Sequence, residues 1–220
     1  MRISEEQLNT SDQNGNWKGW WEQVPASATI AAVGLPAPTL NNSPTTFYGT
    51  GVTEYLAFAT APSAGAYAGV NGPSNITRFG TFQVMTTTIQ TAADITATRI
   101  CVGLFNVNPA TSDTQTAPTL GFRYSTAADG TAFWRVMTGN GITTTITATA
   151  VAIAPSTRYV LTIDASTVGV VQFLINGVLA ASLTASLPNP TNGLTIWVSV
   201  TGLTSTAKTI YFRKCLVELL

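Results

Sequence analysis

Val171–Leu183 reads VQFLINGVLAASL, two apolar runs parted by Asn176-Gly177. Both of these central residues tolerate positive φ. Asn-Gly between two such runs is therefore the strongest short-range hairpin signal a sequence offers. The pattern continues outward in both directions. Upstream, strands are predicted over Thr77–Gln90, Ile95–Val107, Leu120–Ser125, Ala132–Thr138, Ile142–Thr149 and Arg158–Asp164, with AADG and GNG turns among them. Downstream, Leu194–Thr201 and Thr209–Leu219 close the chain. With further strands near Thr29, Phe47 and Tyr55, the total is about a dozen, spaced as in a sandwich or barrel. No stretch shows sustained helical periodicity. Valine, isoleucine, threonine and aromatic residues dominate, and these favour the pleated sheet. The expected fold is all-β, an antiparallel β-sandwich, and no fixed-period repeat points to a propeller or solenoid.

Charged residues make up 9% of the 220, and ten acids balance ten bases. A soluble protein averages about 25% charged residues. This chain relies on uncharged polar side chains instead, with 38 threonines. Such a surface is wettable but not repulsive, so it suits a protein packed against neighbours. No basic cluster exists to neutralise phosphates, so nucleic acid is not an expected partner. No run of 18 apolar residues predicts a membrane span, and the amino terminus, MRISEEQLNTSDQNGN, has no apolar core of a signal peptide.

Residues 1–25 differ from the rest. They hold Glu5, Glu6, Asp12 and Glu22, and three of the five tryptophans, Trp17, Trp20 and Trp21. Ser4-Glu5-Glu6-Gln7 has the form of a weak capping box for one helical turn. This segment is expected to be an arm outside the main core, so that deleting it leaves a folded domain. Residues 26–75 are expected to be early strands and loops joining the sandwich, with connections at 34–44 and 61–75, and residues 76–220 its core. Three readings stand for Trp17, Trp20 and Trp21: a patch folded onto the sandwich, an anchor inserted into a neighbouring subunit, or a stack against a sugar ring. Tryptophan is enriched at interface hot spots because it buries a large rigid area. These three are the candidate partner-interface residues. Trp134, Trp197, Tyr159, Phe122, Phe173 and Phe212 read as core.

The chain has no histidine. That removes Ser-His-Asp and Cys-His catalysis and most zinc sites. Cys101 and Cys215 read as two buried thiols or as one disulfide. Glycoside hydrolysis needs only two carboxylates about 5–10 Å apart. Yet Glu54 and Glu218 are the only glutamates beyond the first 25 residues, and no run of closely spaced acids exists. Gly65, Gly69 and Gly72 lack the following helix and Lys-Ser/Thr pair of a phosphate loop. The expectation is a chain that is not an enzyme, with no catalytic residue, no cofactor and no metal.

Four pieces of the second half, in order, carry a resemblance: GFRYSTAADGTAFWRVMTGNG (121–141), STRYVLTIDAS (156–166), VVQFLINGVLAASLTASLP (170–188) and TIYFRKCLVEL (209–219). Together they resemble the concanavalin-A-like (laminin-G-like) jelly roll found in bacteriophage virion proteins. The resemblance implies two packed antiparallel sheets. It also implies a role such as capsid decoration (cement), on the virion surface, with the major capsid protein and sister copies, in a homotrimer, as partners, after synthesis in the host cytoplasm. The alternative is a glycan- or receptor-binding module of a tail fibre or adaptor. The lectin form of the fold binds sugar through calcium-ordered loops. Here Asp113, Asp129 and Asp164 stand apart in sequence, short of the several carboxylates that calcium prefers.

Overall fold

The computed structural model describes residues 17–23, 29–33, 35–42, 45–48, 54–72, 74–75, 77–130 and 132–219. In chain order the strands are β1 (Trp17–Gln23), β2 (Ile30–Val33), β3 (Thr39–Asn41), β4 (Thr45–Tyr48), β5 (Glu54–Ala59) and β6 (Tyr67–Asn71). Then come β7 (Thr77–Arg78), β8 (Phe82–Thr91), β9 (Thr98–Phe105), β10 (Thr119–Ser125), β11 (Phe133–Gly139) and β12 (Thr144–Ala152). The last are β13 (Arg158–Asp164), β14 (Val171–Ile175), β15 (Val178–Leu183), β16 (Gly193–Gly202) and β17 (Thr209–Leu219). The first sheet runs β15-β14-β13-β8-β17-β1-β2, with β5 also on β17 and β4 on β5. The second runs β12-β11-β10-β9-β16-β6-β3, with β7 on β16. All pairings are antiparallel.

The hairpin at Asn176-Gly177 forms as its sequence dictates. Both residues have positive φ, 53° and 80°, and Ile175 pairs with Val178. Asn176 does a second job, because its Oδ1 accepts the Val160 backbone N–H at 2.9 Å and ties the turn to β13. Along β13, Tyr159, Leu161 and Ile163 are buried while the alternate residues are less so, the period of two of a strand with one face on the core. Aromatic side chains knit the two layers. Phe122 and Trp134, from the second sheet, stand edge to face with Phe173 and Tyr159 from the first, at centroid separations of 5.4 Å in both cases. Glycine is required where strands press closest. A Cβ on Gly103 in β9 would lie 2.3 Å from the Leu120 carbonyl oxygen of β10.

Two expectations about the first part of the chain are corrected. Residues 17–23 are not an arm outside the core: β1 lies between β17 and β2, and Trp21 is fully buried in the core. All three tryptophans of the segment, and Glu22, belong to this strand. The remainder of that segment, with Ser4-Glu5-Glu6-Gln7, lies outside the described residues. The stretch 61–75 also contains β6, which pairs with β16 and β3. Its small residues disguise a strand, since Gly69 sits where a Cβ would meet the Val198 carbonyl.

At one end of the sandwich the loop after β8 meets the loop before β17. Lys208 is 3% exposed, and its Nζ donates to Asp94 Oδ2 at 2.5 Å. That hydrogen bond, followed by those from Thr96, holds the Asp94 carboxyl down to about 2, against an ordinary value near 3.8. A lowered folded-state value means stability that is complete above about pH 4 and is lost as the pH falls towards 2. Asp94 is itself half exposed, so screening keeps the effect modest. Asp94→Asn is expected to flatten the acid limb of a plot of melting temperature against pH, measured from about pH 5 to pH 2.

The two cysteines are free and lie in different sheets, Cys101 in β9 and Cys215 in β17. Burial pushes both thiols up to about 12. Thr87 Oγ1 also donates to Cys215 Sγ at 3.4 Å. Neither thiol is expected to react with an alkylating reagent near pH 8 until the protein unfolds, when both should be modified, as intact mass would show.

Candidate functional site

Among the described residues, the outer face of the second sheet, turned away from the core, carries the densest chemistry. Strand alternation brings Arg99 and Cys101 of β9, Arg123 of β10, Arg135 and Met137 of β11, and Trp197, Ser199 and Thr201 of β16 to this face. The loop from Asn106 to Pro118 folds back across them. It contains a 3₁₀ turn, Pro109–Thr111, capped by Asn108 Oδ1 accepting the Ala110 N–H at 2.9 Å. The Ala110 carbonyl then accepts from Arg99 Nη1 at 2.8 Å and Thr201 Oγ1 at 3.1 Å.

In a chain so poor in charge, this loop and face gather five acidic and basic side chains. Arg99 grips Asp113 with two hydrogen bonds, of 2.7 and 2.6 Å, through Nε and Nη2. Arg123 makes the same two-pronged contact with Asp129 and also donates to the Asp113 carbonyl. Asp129 accepts in addition from the Ser125 backbone N–H at 3.0 Å, and Arg135 Nε lies 3.7 Å from Asp129 Oδ1. The planar guanidinium fork suits such paired contacts, which fix direction as well as distance. Burial pushes the Asp113 carboxyl up, but the Arg99 hydrogen bonds and charge outweigh it and leave the group below its ordinary value. Asp113 is thus a carboxylate held ionised, suited to fixing the loop and not to donating a proton at neutral pH.

Beside this clamp lies a cleft of about 460 Å³, lined by Val107, Asn108, Thr111, Ser112 and Thr114 to Ala117. Six of these eight side chains carry a hydroxyl or an amide. Gln115 is 7% exposed and its Nε2 donates to the Asn108 carbonyl at 3.1 Å. Its Oε1 is buried with no hydrogen-bond partner among the described residues. A buried polar atom without a partner is uncommon and asks for an explanation. Among the described residues no three of His, Cys, Asp and Glu come together as metal ligands.

The tryptophans singled out from sequence sit elsewhere, on the first sheet. Trp17 pairs through its backbone with Leu219, and its side chain lies outside the described residues. Trp20 is half-buried. Trp21 is consumed by the core, its Nε1 donating to the Pro36 carbonyl at 2.9 Å, so it is not a partner-interface residue. The residues that sequence reading passed over are Arg99, Arg123 and Arg135. Each is an arginine inside an otherwise apolar or small-residue strand, and that signal was there to be read. Their acidic partners come from a loop and a turn, so Asp113 and Asp129 looked isolated.

No family model matches this chain, and no curated protein matches it. Solved structures do. A protein of unknown function from Shewanella oneidensis MR-1 superposes with a TM-score of 0.66 at 13% identity, covering 100% of this chain and 95% of that one. A glycoside hydrolase family 16 endo-glucanase from Bacteroides ovatus gives 0.57 at 9% identity, covering 96% and 97%. The carbohydrate recognition domain of Emp46p gives 0.53 at 9%, covering 82% and 87%. This chain is a jelly-roll β-sandwich. Identities this low show the fold alone. The fold part of the resemblance stands; nothing in these likenesses points to a virion. The expectation that the chain is not an enzyme is corrected, because the same architecture over the same length serves an endo-glucanase. The missing histidines do not bear on chemistry that runs on carboxylates alone.

Proposed function

We propose that this sandwich is a subunit of a larger assembly, a virion-surface protein of the capsid decoration kind, held by the major capsid protein and by sister copies. The observation that carries the reading is where the charge is. No Asp, Glu, Lys or Arg occurs between Arg135 and Arg158, or between Asp164 and Lys208. Those stretches supply all of β12, β14, β15 and β16. Meanwhile Arg99, Arg123 and Asp129 are buried in the clamp. Self-repulsion is what keeps proteins apart at close quarters. A neutral threonine-covered body lacks it. The resemblance of residues 120–220 to phage jelly rolls adds the virion setting. The test is quantitative mass spectrometry of purified particles from cells expressing the chain with its neighbouring genes. Copy number stoichiometric with the shell subunit supports decoration; absence from particles overturns it.

A second reading rests on the lining of the loop 106–118 cleft. Its hydroxyl and amide side chains suit a neutral polyhydroxylated ligand, and proteins sharing this fold include a carbohydrate recognition domain and an endo-glucanase. On this reading the loop 106–118 cleft binds a saccharide. A glycan array probed with the full chain and with Gln115→Ala tests it. Binding lost in the variant supports the cleft, and an array blank for the wild type removes the reading.

A further inference from the structure

β12 and β15 end the two sheets on the same flank of the sandwich, in contact with each other. Among the described residues no strand pairs with the outer side of either. Exposed edges are normally protected by lysine, proline, short length or a bulge, because their free N–H and C=O groups invite another strand. β12 has little such protection. Its nine residues, TTITATAVA, include no charge and no proline, and its register against β11 runs unbroken from Thr144 to Ala148. The irregularity in that pairing falls beyond, between Phe133 and Arg135. β15, VLAASL, is shorter, and its pairing is bulged between Phe173 and Leu174. Large apolar side chains gather on or beside these edges: Val178 at 69% exposed and Leu179 at 53%, with Phe133 and Ile142 at the two ends of the β11–β12 hairpin.

We propose that this flank joins two copies of the chain, edge to edge, by antiparallel pairing of β12 with β12 of the second copy about a two-fold axis. The second sheet then continues from one molecule into the next. A row of unpaired backbone groups is complementary to itself when turned about a two-fold axis, which is the self-complementarity an isologous interface needs. Like charges directly opposite one another destabilise a strand pair. Here there are none, since the nearest charged residues in sequence lie at Arg135 and Arg158. The zero net charge of the chain removes longer-range repulsion between identical molecules. Val178 and Leu179, on the neighbouring edge, are carried to the same junction and covered.

Self-pairing names one partner for the assembly reading and rests on it only in part. A chain that dimerises in solution yet never enters particles would sink that reading and leave the dimer standing. The experiment is sedimentation equilibrium of the full chain over a wide concentration range, with the Ala148→Lys/Ala150→Lys double variant alongside. Both alanines are exposed, so the lysines are accommodated in the single molecule while they put charge on the pairing edge of both copies. The wild type is expected to dimerise, and the variant to dimerise at least about tenfold more weakly. Hydrogen exchange on the wild type supplies a second measurement that needs no variant to fold. Backbone amides in Thr144–Ala148 should gain protection as concentration rises. A wild type monomeric throughout, a dimer indifferent to the lysines, or exchange in β12 independent of concentration would each overturn the proposal. Protection of β12 on particles alone would assign the edge to a different protein and overturn it too.

Discussion

Trp21→Ala is expected to lower the free energy of unfolding by about 3–5 kcal/mol, the usual cost of emptying a buried aromatic site. Trp21 is fully buried, faces the core from β1 and stands opposite Cys215 of β17 in register. Truncation leaves a cavity and also strips the Pro36 carbonyl of the indole N–H that it accepts. For a chain of this size the midpoint of thermal unfolding should fall by roughly 8–15 °C. Trp21→Phe separates the two losses, since most of the volume stays and only the hydrogen bond goes; about 1–2 kcal/mol is expected. Trp20 supplies the control. It is half-buried one residue away, and Trp20→Ala should cost under about 1 kcal/mol. Urea titration with an unchanged slope would measure all three. Equal losses at positions 20 and 21 would place Trp21 outside the core. The same geometry reverses the expectation for removing residues 1–25. That deletion takes away β1, bares the side of β17 from Lys214 to Leu219, and should yield an unfolded or aggregating chain.

The strands that were legible in the sequence are those whose pattern is local. Arg158–Asp164 was bounded correctly because it alternates cleanly between turn residues, and Thr209–Leu219 because a serine- and threonine-bearing turn precedes a run rich in strand-favouring residues. Asn176-Gly177 fixed its hairpin because positive φ is a property of two residues. β6 and β1 were not legible because what defines them is distant. Tyr67–Asn71 becomes a strand by lying on β16, and its glycine, which reads as loop in isolation, is the residue that lets Val198 come close. Trp17–Gln23 looked foreign by composition, yet its partners are the last strand of the chain and β2. The clamp fell between these cases. Asp129 is six residues from Arg123, within a single hairpin, and was in reach of a reading that asked what an arginine does on a covered sheet face. Asp113 joins Arg99 only because the loop folds back, and nothing local announces that. Both edges were in plain view as charge-free sequence, but only the strand order reveals that β12 and β15 are outermost on one flank.

Asp129→Ala should be as costly as Trp21→Ala for a different physical reason. Arg123 and Asp129 are both nearly inaccessible to solvent, with Arg123 Nε and Nη2 directed at the two carboxylate oxygens. Bringing two ions out of water costs several kcal/mol each, and their mutual attraction and hydrogen bonds do little more than offset it. The intact pair therefore adds little net stability. Removing one partner is another matter, because the survivor is left buried and uncompensated, at a cost of about 3–5 kcal/mol. The Ser125 N–H loses its acceptor at the same time. A double-mutant cycle makes the argument testable. Arg123→Leu/Asp129→Ala should recover much of the stability lost in either single variant, giving an interaction term of at least about 1 kcal/mol. Added salt should change these values little, because the groups are buried and poorly screened. Stability recovers in the double variant, but the loop does not, because Arg123 also donates to the Asp113 carbonyl and helps hold residues 106–118 against the sheet. Hydrogen exchange should accordingly quicken across that loop in Arg123→Leu and in the double variant alike, while the β13 and β8 amides of the opposite sheet keep wild-type protection in the double variant. Independent, additive losses at positions 123 and 129 would show that the two side chains do not act as a pair. Unchanged exchange over residues 106–118 would remove the arginine from its place as the fastening of the cleft.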